Sequence, residues 1–321
     1  METMTLTAPR PQHTNPQGLT HVGLLYHRLD EYVAATIPAV RHALAHGAAV
    51  LIAVPGDRHA AMRDELGADA GSVQFVDMTV VGRNPGWILP GVLLDFAANH
   101  AETPVYAIGE PIWSSRTPAE YPACVTHEAL INVALADRDA TIVCPYDATS
   151  LSADVIEDAY STHPSMTSSG SSETSNNYTD PLVVVGRFNE PLPAPPEHAA
   201  SMDYGRVHDL PALRRFVTGE ATAAELPRDR IGDLALAITE LGTNTVEHTD
   251  GPGSVAVWAE PDAVICQLSD TGHLSDPMAG RRMPSATASR GRGLALVNSV
   301  SGLVRVHTSP QGTTFRVHMY R

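Results

Sequence analysis

The amino-acid sequence predicts an α/β protein in two halves: a mostly parallel sheet with helices on both faces, then a second α/β half in which an amphipathic helix presses on a sheet. Three observations predict it. Short, continuously apolar runs alternate with helix-length stretches from Val22 to Cys144, as strands buried on both faces require. Beyond Ile231, apolar residues recur three and four apart and give way to a strand-like alternation, the change of period that marks a helix followed by a half-buried strand. Between the two lies a stretch rich in Ser and then in Pro, the composition of a hinge.

In the first half the strands are read at Val22–Tyr26, Ala48–Val54, Val73–Val76, Val105–Ile108 and Thr141–Cys144, with helices over Glu31–His46 and Ala119–Leu135. Ligands of such sheets bind outside the carboxyl ends of the strands. Those ends carry Tyr26 with His27, Asp77, Glu110, and Tyr146 with Asp147. They form a candidate sensory pocket, with Glu110 foremost. Trp113 and Tyr121 are candidate aromatic lining, and most such rings fill core. Glu128 and Asn132 stand one helical turn apart, so a ligand contact and a structural hydrogen bond are both open to them. Cys124 and His127 have a C-x-x-H spacing with no further ligand nearby in sequence. After the first strand the chain reads His27-Arg-Leu-Asp-Glu-Tyr, which is no G-x-x-x-x-G-K-[ST] phosphate loop.

The run Thr167-Ser-Ser-Gly-Ser-Ser-Glu-Thr-Ser-Asn-Asn177 and the prolines of 191–196 frame an apolar patch, Leu182–Val185. That patch is open to reading as a short edge strand or as a segment docked on either half. No internal repeat is present. One short helix, about His208 to Glu220, then precedes the longer helix that carries Glu240.

On that helix Glu240, Asn244 and His248 stand four apart and form one polar stripe. Ile231, Leu234, Ile238 and Leu241 line the opposite, core-facing side. The strand Val264–Leu268 ends in Ser269-Asp270-Thr-Gly272, which leaves a carboxylate at the strand mouth. Such an aspartate can accept a hydrogen bond from an exocyclic amine such as that of adenine. Gly291 and Gly293 open a helix running from Leu294 to about Val300, whose bare amides and dipole favour phosphate. Gly312-Thr313-Thr314 precedes the last strand.

Length and charge narrow the classes. A chain of 321 residues suffices for two ordinary domains. With 21 basic against 36 acidic residues the formal net charge is −15, which argues against affinity for nucleic acid or anionic membrane and favours a protein partner. The 3 cysteines have no C-x-x-C spacing, so neither a disulfide framework nor a zinc cluster is indicated, in keeping with a reducing cytoplasm. No apolar run reaches the length of a membrane span, and residues 1–17 read as a disordered tail without a signal-peptide core.

In this order and at these distances the elements of the second half resemble the N, G1 and G2 boxes of the GHKL ATPases, and most closely those of the anti-sigma-factor serine kinase branch. The resemblance covers 204–321. It implies a two-layer α/β (Bergerat) sandwich that binds ATP with Mg²⁺. By carry-over Asn244 coordinates Mg²⁺, Glu240 is the general base, Asp270 and Gly272 read the adenine end, and Gly291 and Gly293 cradle phosphate. His248, Arg290, Arg292 and Thr313 complete the nucleotide-binding set, with a helix-end cap also open to His248 and a salt link to the lid also open to Arg290 and Arg292. The segment Ser275–Ser289 becomes the lid. The chain departs from the family at Leu274, where G1 ordinarily has a second glycine.

The first half resembles the MEDS domain, a RecA-like sensory module. The residues that carry the likeness are His21–Tyr26, Phe75–Met78, Gly82–Pro85, Gly109-Glu-Pro-Ile-Trp113, His127-Glu-Ala-Leu-Ile-Asn132 and Cys144–Asp147. It covers 18–165, which leaves 166–203 as the linker. It implies that the half senses a small-molecule signal, with Tyr26, Glu110, Trp113, His127, Glu128 and Tyr146 as pocket candidates.

Together the resemblances imply a cytoplasmic, signal-responsive anti-sigma regulator. It would phosphorylate Ser or Thr on a STAS-domain anti-anti-sigma factor, sequester a sigma factor, or both, and the GHKL half commonly dimerises. A second reading keeps nucleotide binding and partner switching without catalysis. A third, a sensor histidine kinase, lacks room for a two-helix dimerisation element before Glu240.

Overall fold

Strand-forming runs that are apolar on both sides need cover on both sides, and the first half of the chain is built accordingly. The computed structural model describes residues 18–168, 171–282 and 291–321. The expected tail, residues 1–17, lies outside them, as do residues 283–290, which include the last seven residues of the expected lid and Arg290. Two compact units divide the chain, ending at Phe188 and beginning at Asn189.

The first unit contains β1 (Leu19–Tyr26), α1 (Leu29–Ala45), β2 (Ala49–Val54), α2 (Gly56–Leu66) and β3 (Val73–Asp77). A helical stretch follows: α3 (Pro85–Ile88), the π-helical turn Leu89–Leu94, and α4 (Asp95–Asn99). Then come β4 (Val105–Gly109), α5 (Tyr121–Ala134), β5 (Ala140–Asp147), α6 (Ala153–Thr162), β6 (Ser165–Ser168), β7 (Ser171–Thr174) and α7 (Pro181–Arg187). The sheet order is β3-β2-β4-β5-β1-β6-β7, parallel throughout except for the antiparallel β6–β7 pair. This is the mostly parallel, doubly covered sheet that the apolar runs predict. Parallel register pairs Leu25 with Tyr146 and Tyr26 with Asp147, so Tyr26 and Tyr146 project to opposite faces. Leu24, Tyr26, Ile52, Ile108 and Val143 pack under α1 and α2, while His21 reaches Asn132 and Glu128 of α5 on the other face.

In and beside the stretch read as a linker, Ser165–Ser168 and Ser171–Thr174 pair as the antiparallel strands β6 and β7 and Pro181–Arg187 forms a helix, all within the first unit. The patch Leu182–Val185 is therefore a helix packed in that unit. Asp180 is the reason: its carboxylate accepts from the amides of Leu182 and Val183 at 2.8 and 3.4 Å, and Pro181 presets the first turn. Together they outweigh the strand preference of three consecutive valines.

The second unit holds β8 (Ala200–Tyr204), α8 (Leu210–Ala223), α9 (Arg228–His248), β9 (Gly253–Ala259), β10 (Ala263–Asp270), α10 (Gly293–Val300), β11 (Leu303–Ser309) and β12 (Gly312–Tyr320). Its sheet is antiparallel with order β11-β12-β10-β9-β8. The core joins Leu213 and Val217 of α8, Leu234, Ile238 and Leu241 of α9 and Val297 of α10 to the inward residues of β9, β10, β11 and β12. This is one helix layer on one sheet. Gly242 lets α8 close on α9, because a Cβ there would lie 2.7 Å from Leu213. Among the described residues no helix is long and apolar enough to cross a membrane.

Candidate functional site

The buried face of α9 turns its opposite stripe toward a cleft of about 830 Å³. Glu240, Asn244 and His248 line it, with Glu240 and Asn244 half-buried and His248 exposed at the helix end. Asp270, Gly272, Gly291, Arg292, Gly293 and Thr313 line the same cleft. Every described member of the expected nucleotide-binding set therefore faces one space. Arg290 lies outside the described residues.

One end of the cleft is fixed by a hydrogen-bond network. Asp270 Oδ2 accepts from Thr245 Oγ1 at 2.7 Å and Oδ1 accepts from the Gly272 amide at 2.9 Å. Thr245 Oγ1 in turn lies 3.0 Å from the Tyr204 hydroxyl. A carboxylate oxygen has two lone-pair sites, so each oxygen of Asp270 keeps capacity for an amine donor. Thr313 Oγ1 donates to the Gly272 carbonyl at 2.8 Å and meets Thr308 Oγ1 at 2.8 Å. Gly312, at φ +153°, must be glycine, since a Cβ would sit 2.3 Å from the Asp270 carbonyl oxygen.

At the other end Gly291 takes the left-handed φ of +92° and α10 begins at Gly293. A Cβ on Gly293 would lie 2.7 Å from Glu240 Oε2. The Glu240 carboxylate thus rests directly against the glycine that opens α10, where free amides and the helix dipole attract anionic groups. Leu274, in place of the second G1 glycine, donates its amide to Thr308 Oγ1 at 2.9 Å. Among the described residues Glu225 alone of the non-glycines has positive φ, so Leu274 introduces no backbone strain.

The cleft suits a nucleotide with its metal: it offers a carboxylate with spare acceptor sites at one end and a glycine-opened helix at the other. Between them the Asn244 amide oxygen is of the hard kind that Mg²⁺ takes. Sequence reasoning missed Thr245 and Thr308, whose roles depend on strands that approach only in the folded chain.

In the first unit the sensory candidates separate. Tyr26 and Glu110 converge with Asp147 on Arg58, a residue the sequence did not single out. Tyr26 donates to Glu110 Oε1 at 3.2 Å, Arg58 Nε lies 2.7 Å from the Tyr26 hydroxyl and 2.9 Å from Glu110 Oε1, and Asp147 stands 3.7 Å from Arg58. Burial pushes the Glu110 carboxyl up to about 8, with Arg58 only partly offsetting it. Glu128 and Tyr146 lie on the opposite sheet face, where the Tyr146 ring meets His163 edge-on at 5.6 Å. His127 is buried on α5. Trp113 lies under the Arg116 guanidinium at 3.8 Å and donates to Ser115, and Arg116 is itself tied to the carbonyls of Gly82, Arg83 and Pro111.

Comparison with known families settles the composition of the chain. Residues 20–164 match the family described as MEDS, MEthanogen/methylotroph, DcmR Sensory domain. Residues 205–319 match the family described as Histidine kinase-like ATPase domain. The chain joins a MEDS domain to a histidine kinase-like ATPase domain. The two matches meet the MEDS and GHKL-type parts of the sequence resemblance, and the second implies nucleotide binding. Among curated proteins none matches the chain. Among solved structures, the RsbU and RsbW domains of Rv1364c from Mycobacterium tuberculosis are similar at 16% identity, over 38% of this chain and 32% of that one, with a TM-score of 0.28. The chain thus spans about a third of that structure's length.

Proposed function

We propose that this protein is a signal-responsive regulator whose ATPase domain binds Mg·ATP and phosphorylates a serine or threonine of a STAS-domain anti-anti-sigma partner, sequestering a sigma factor in one of its states. The MEDS domain receives a small-molecule signal at Glu110, Tyr26 and Arg58. One observation carries the catalytic part: the Glu240 carboxylate lies against Gly293, so a base stands where the phosphate end of the nucleotide is cradled.

Magnesium, when bound, offsets charge on the phosphoryl oxygens. Asn244 holds it through its amide oxygen. Asp270, fixed by Thr245 and the Gly272 amide, accepts from the adenine amine and orients the base. The amides of Gly291 and Gly293, with the Arg292 guanidinium, receive the phosphates. Glu240 takes the proton of the partner's hydroxyl as that oxygen bonds to phosphorus, and ADP leaves. The sequence order of the N, G1 and G2 elements supports the serine kinase branch over a histidine kinase: between β8 and α9 the chain has one 14-residue helix, α8, and a three-residue turn of 3-10 helix.

A second reading, nucleotide-gated partner binding without transfer, is favoured by Leu274 standing where the family has glycine. Incubation with labelled ATP and the STAS-domain proteins of the same genome separates the two. Transfer to serine or threonine that is lost in Glu240→Ala establishes the kinase. Partner binding that responds to ATP, with no transfer, establishes the second reading.

A further inference from the structure

On the sheet face away from Glu110, four side chains from four elements meet in the interior of the MEDS domain. His21 of β1, Glu128 of α5, Cys144 of β5 and His163, the residue after α6, each offer one ligand atom, and these atoms all lie within 4.8 Å of one another. All four residues are at most 2% exposed. His21 Nε2 is 3.4 Å from both Glu128 Oε2 and Cys144 Sγ. His163 Nε2 is 3.5 Å and Cys144 Sγ 3.2 Å from the same carboxylate oxygen. A tetrahedral ion with bonds of about 2.0–2.3 Å sets its donors about 3.3–3.6 Å apart.

The surroundings turn the right atoms inward. His163 Nδ1 lies 2.8 Å from the Ala159 carbonyl, and His21 Nδ1 lies 3.1 Å from Asn132 Oδ1. Both partners are oxygens that only accept, so Nδ1 carries a hydrogen, and in its neutral form each imidazole presents a bare Nε2 to the cluster. Asn132 is held in that orientation because its amide group donates to Thr162 O at 2.9 Å and Ala129 O at 3.3 Å. Hydrogen bonds from metal-bound histidines to such carbonyls are the usual support of a metal site. Two imidazole lone pairs then face the lone pairs of a carboxylate, an arrangement that calls for a cation between them. His163 Nε2 and Glu128 Oε1 have no hydrogen-bond partner among the described residues, and the ion pairs of Glu128 there are to the two histidines. Gly23 of β1 lets the ring of His163 and the side chain of Met166 close on the strand, because a Cβ there would lie 2.4 Å from Met166 Sδ and 3.4 Å from the His163 ring.

We infer that His21, Glu128, Cys144 and His163 bind one divalent ion of the zinc class, which ties β1, α5, β5 and the α6–β6 connection together. The charge balances: a divalent ion, the Cys144 thiolate and the Glu128 carboxylate sum to zero, as a dry interior demands. On binding, the Cys144 thiol gives up its proton to solvent, while the histidines and the carboxylate release none. A set of two nitrogens, one oxygen and one sulfur suits Zn²⁺ and its spectroscopic substitute Co²⁺ rather than Mg²⁺. No side chain in the set is exposed, so the site is closed and structural.

The test uses the untagged full-length chain in excess Mg²⁺, which competes for oxygen-ligand sites elsewhere on the chain. The expected result is about one equivalent of zinc retained through dialysis, a lower Tm after its removal by chelation, and recovery on adding Zn²⁺. Added Co²⁺ should give an intense tetrahedral spectrum with a thiolate-to-metal band. That band should vanish in Cys144→Ser and persist in Cys124→Ser. Asn132→Ala, which removes the acceptor at His21 Nδ1 and the donor to the Thr162 carbonyl while leaving all four ligands in place, should weaken Zn²⁺ binding about 10–100-fold in competition with a chelator. Should Cys144→Ser fail to fold, the wild-type Co²⁺ spectrum and the chelation-dependent Tm decide the question. A folded wild-type chain that takes up neither Zn²⁺ nor Co²⁺, or binds Co²⁺ without a thiolate band, overturns the inference.

Discussion

Replacing Gly293 with alanine isolates the contact on which the proposed chemistry rests. The added Cβ would lie 2.7 Å from Glu240 Oε2, and ordinary contact begins at 3.4 Å, so the carboxylate must retreat by about 0.7 Å. Its yielding atom is the tip of a flexible side chain, while the other close atoms, Glu240 Cβ and Cδ, are at 3.7 Å. Alanine also gains up to about 1 kcal/mol of helix propensity over glycine. The unfolding free energy should therefore stay within about 1 kcal/mol of wild type. Transfer is another matter: a general base contributes about 10²–10⁴-fold, and a misplacement near 1 Å can forfeit about 10²-fold. In a phosphotransfer assay kcat should fall by about 10² in Gly293→Ala and by as much or more in Glu240→Ala. Urea melts of both variants should give unfolding free energies within about 1 kcal/mol of wild type. A Gly293→Ala protein with wild-type kcat would show that Glu240 does not act from this position.

Other expectations come from the same geometry. Gly312→Ala meets backbone instead of a side-chain tip, with the Asp270 carbonyl at 2.3 Å and φ at +153°, and should cost about 2–3 kcal/mol or more in a urea melt. Thr245→Val strips a donor from Asp270 and a partner from Tyr204. It should destabilise by about 1–3 kcal/mol and weaken ATP more than it weakens inorganic triphosphate, as read by calorimetry. The Glu110 carboxyl is raised to about 8 by burial, against 4.5 ordinarily. The folded state then binds the proton more tightly than the unfolded state, so this group's contribution to stability is full below pH 4.5 and is lost as pH rises toward 8. Denaturant midpoints followed from pH 5 to 8.5 should show that decline in wild type and a flatter profile in Glu110→Gln; equal slopes would contradict it.

The sequence discloses what is local and periodic. The α9 stripe of Glu240, Asn244 and His248 follows from four-residue spacing, and its core face from Leu234, Ile238 and Leu241, which the structure buries. The doubly covered parallel sheet follows from runs such as Ala48–Val54, whose residues are buried along almost the whole of β2. Composition misleads where polar residues serve an edge. The Ser-rich run at 171–174 is strand β7, exposed along its length, and a polar edge strand resists pairing with other chains. The run Leu182–Val185 carries strand propensity, yet its fate is decided by Asp180 and Pro181 just ahead of it. Arg58 was illegible because it meets Glu110 and Asp147 only where the ends of β2, β4 and β5 come together. The same holds for His21, Glu128, Cys144 and His163, which share no short spacing and are gathered by the parallel register of β1 and β5 beneath α5. Cysteine spacing along the chain is blind to such a set.

Calorimetric titration of the full-length chain with ATP, with and without Mg²⁺, addresses the nucleotide cleft most directly. Wild type should bind one ATP in a Mg²⁺-dependent manner, Glu240→Ala should bind equally, and Asn244→Ala should lose the dependence on Mg²⁺. No ATP uptake by the folded wild-type chain at millimolar concentration, where binding is worth only about −4 kcal/mol, would contradict the account.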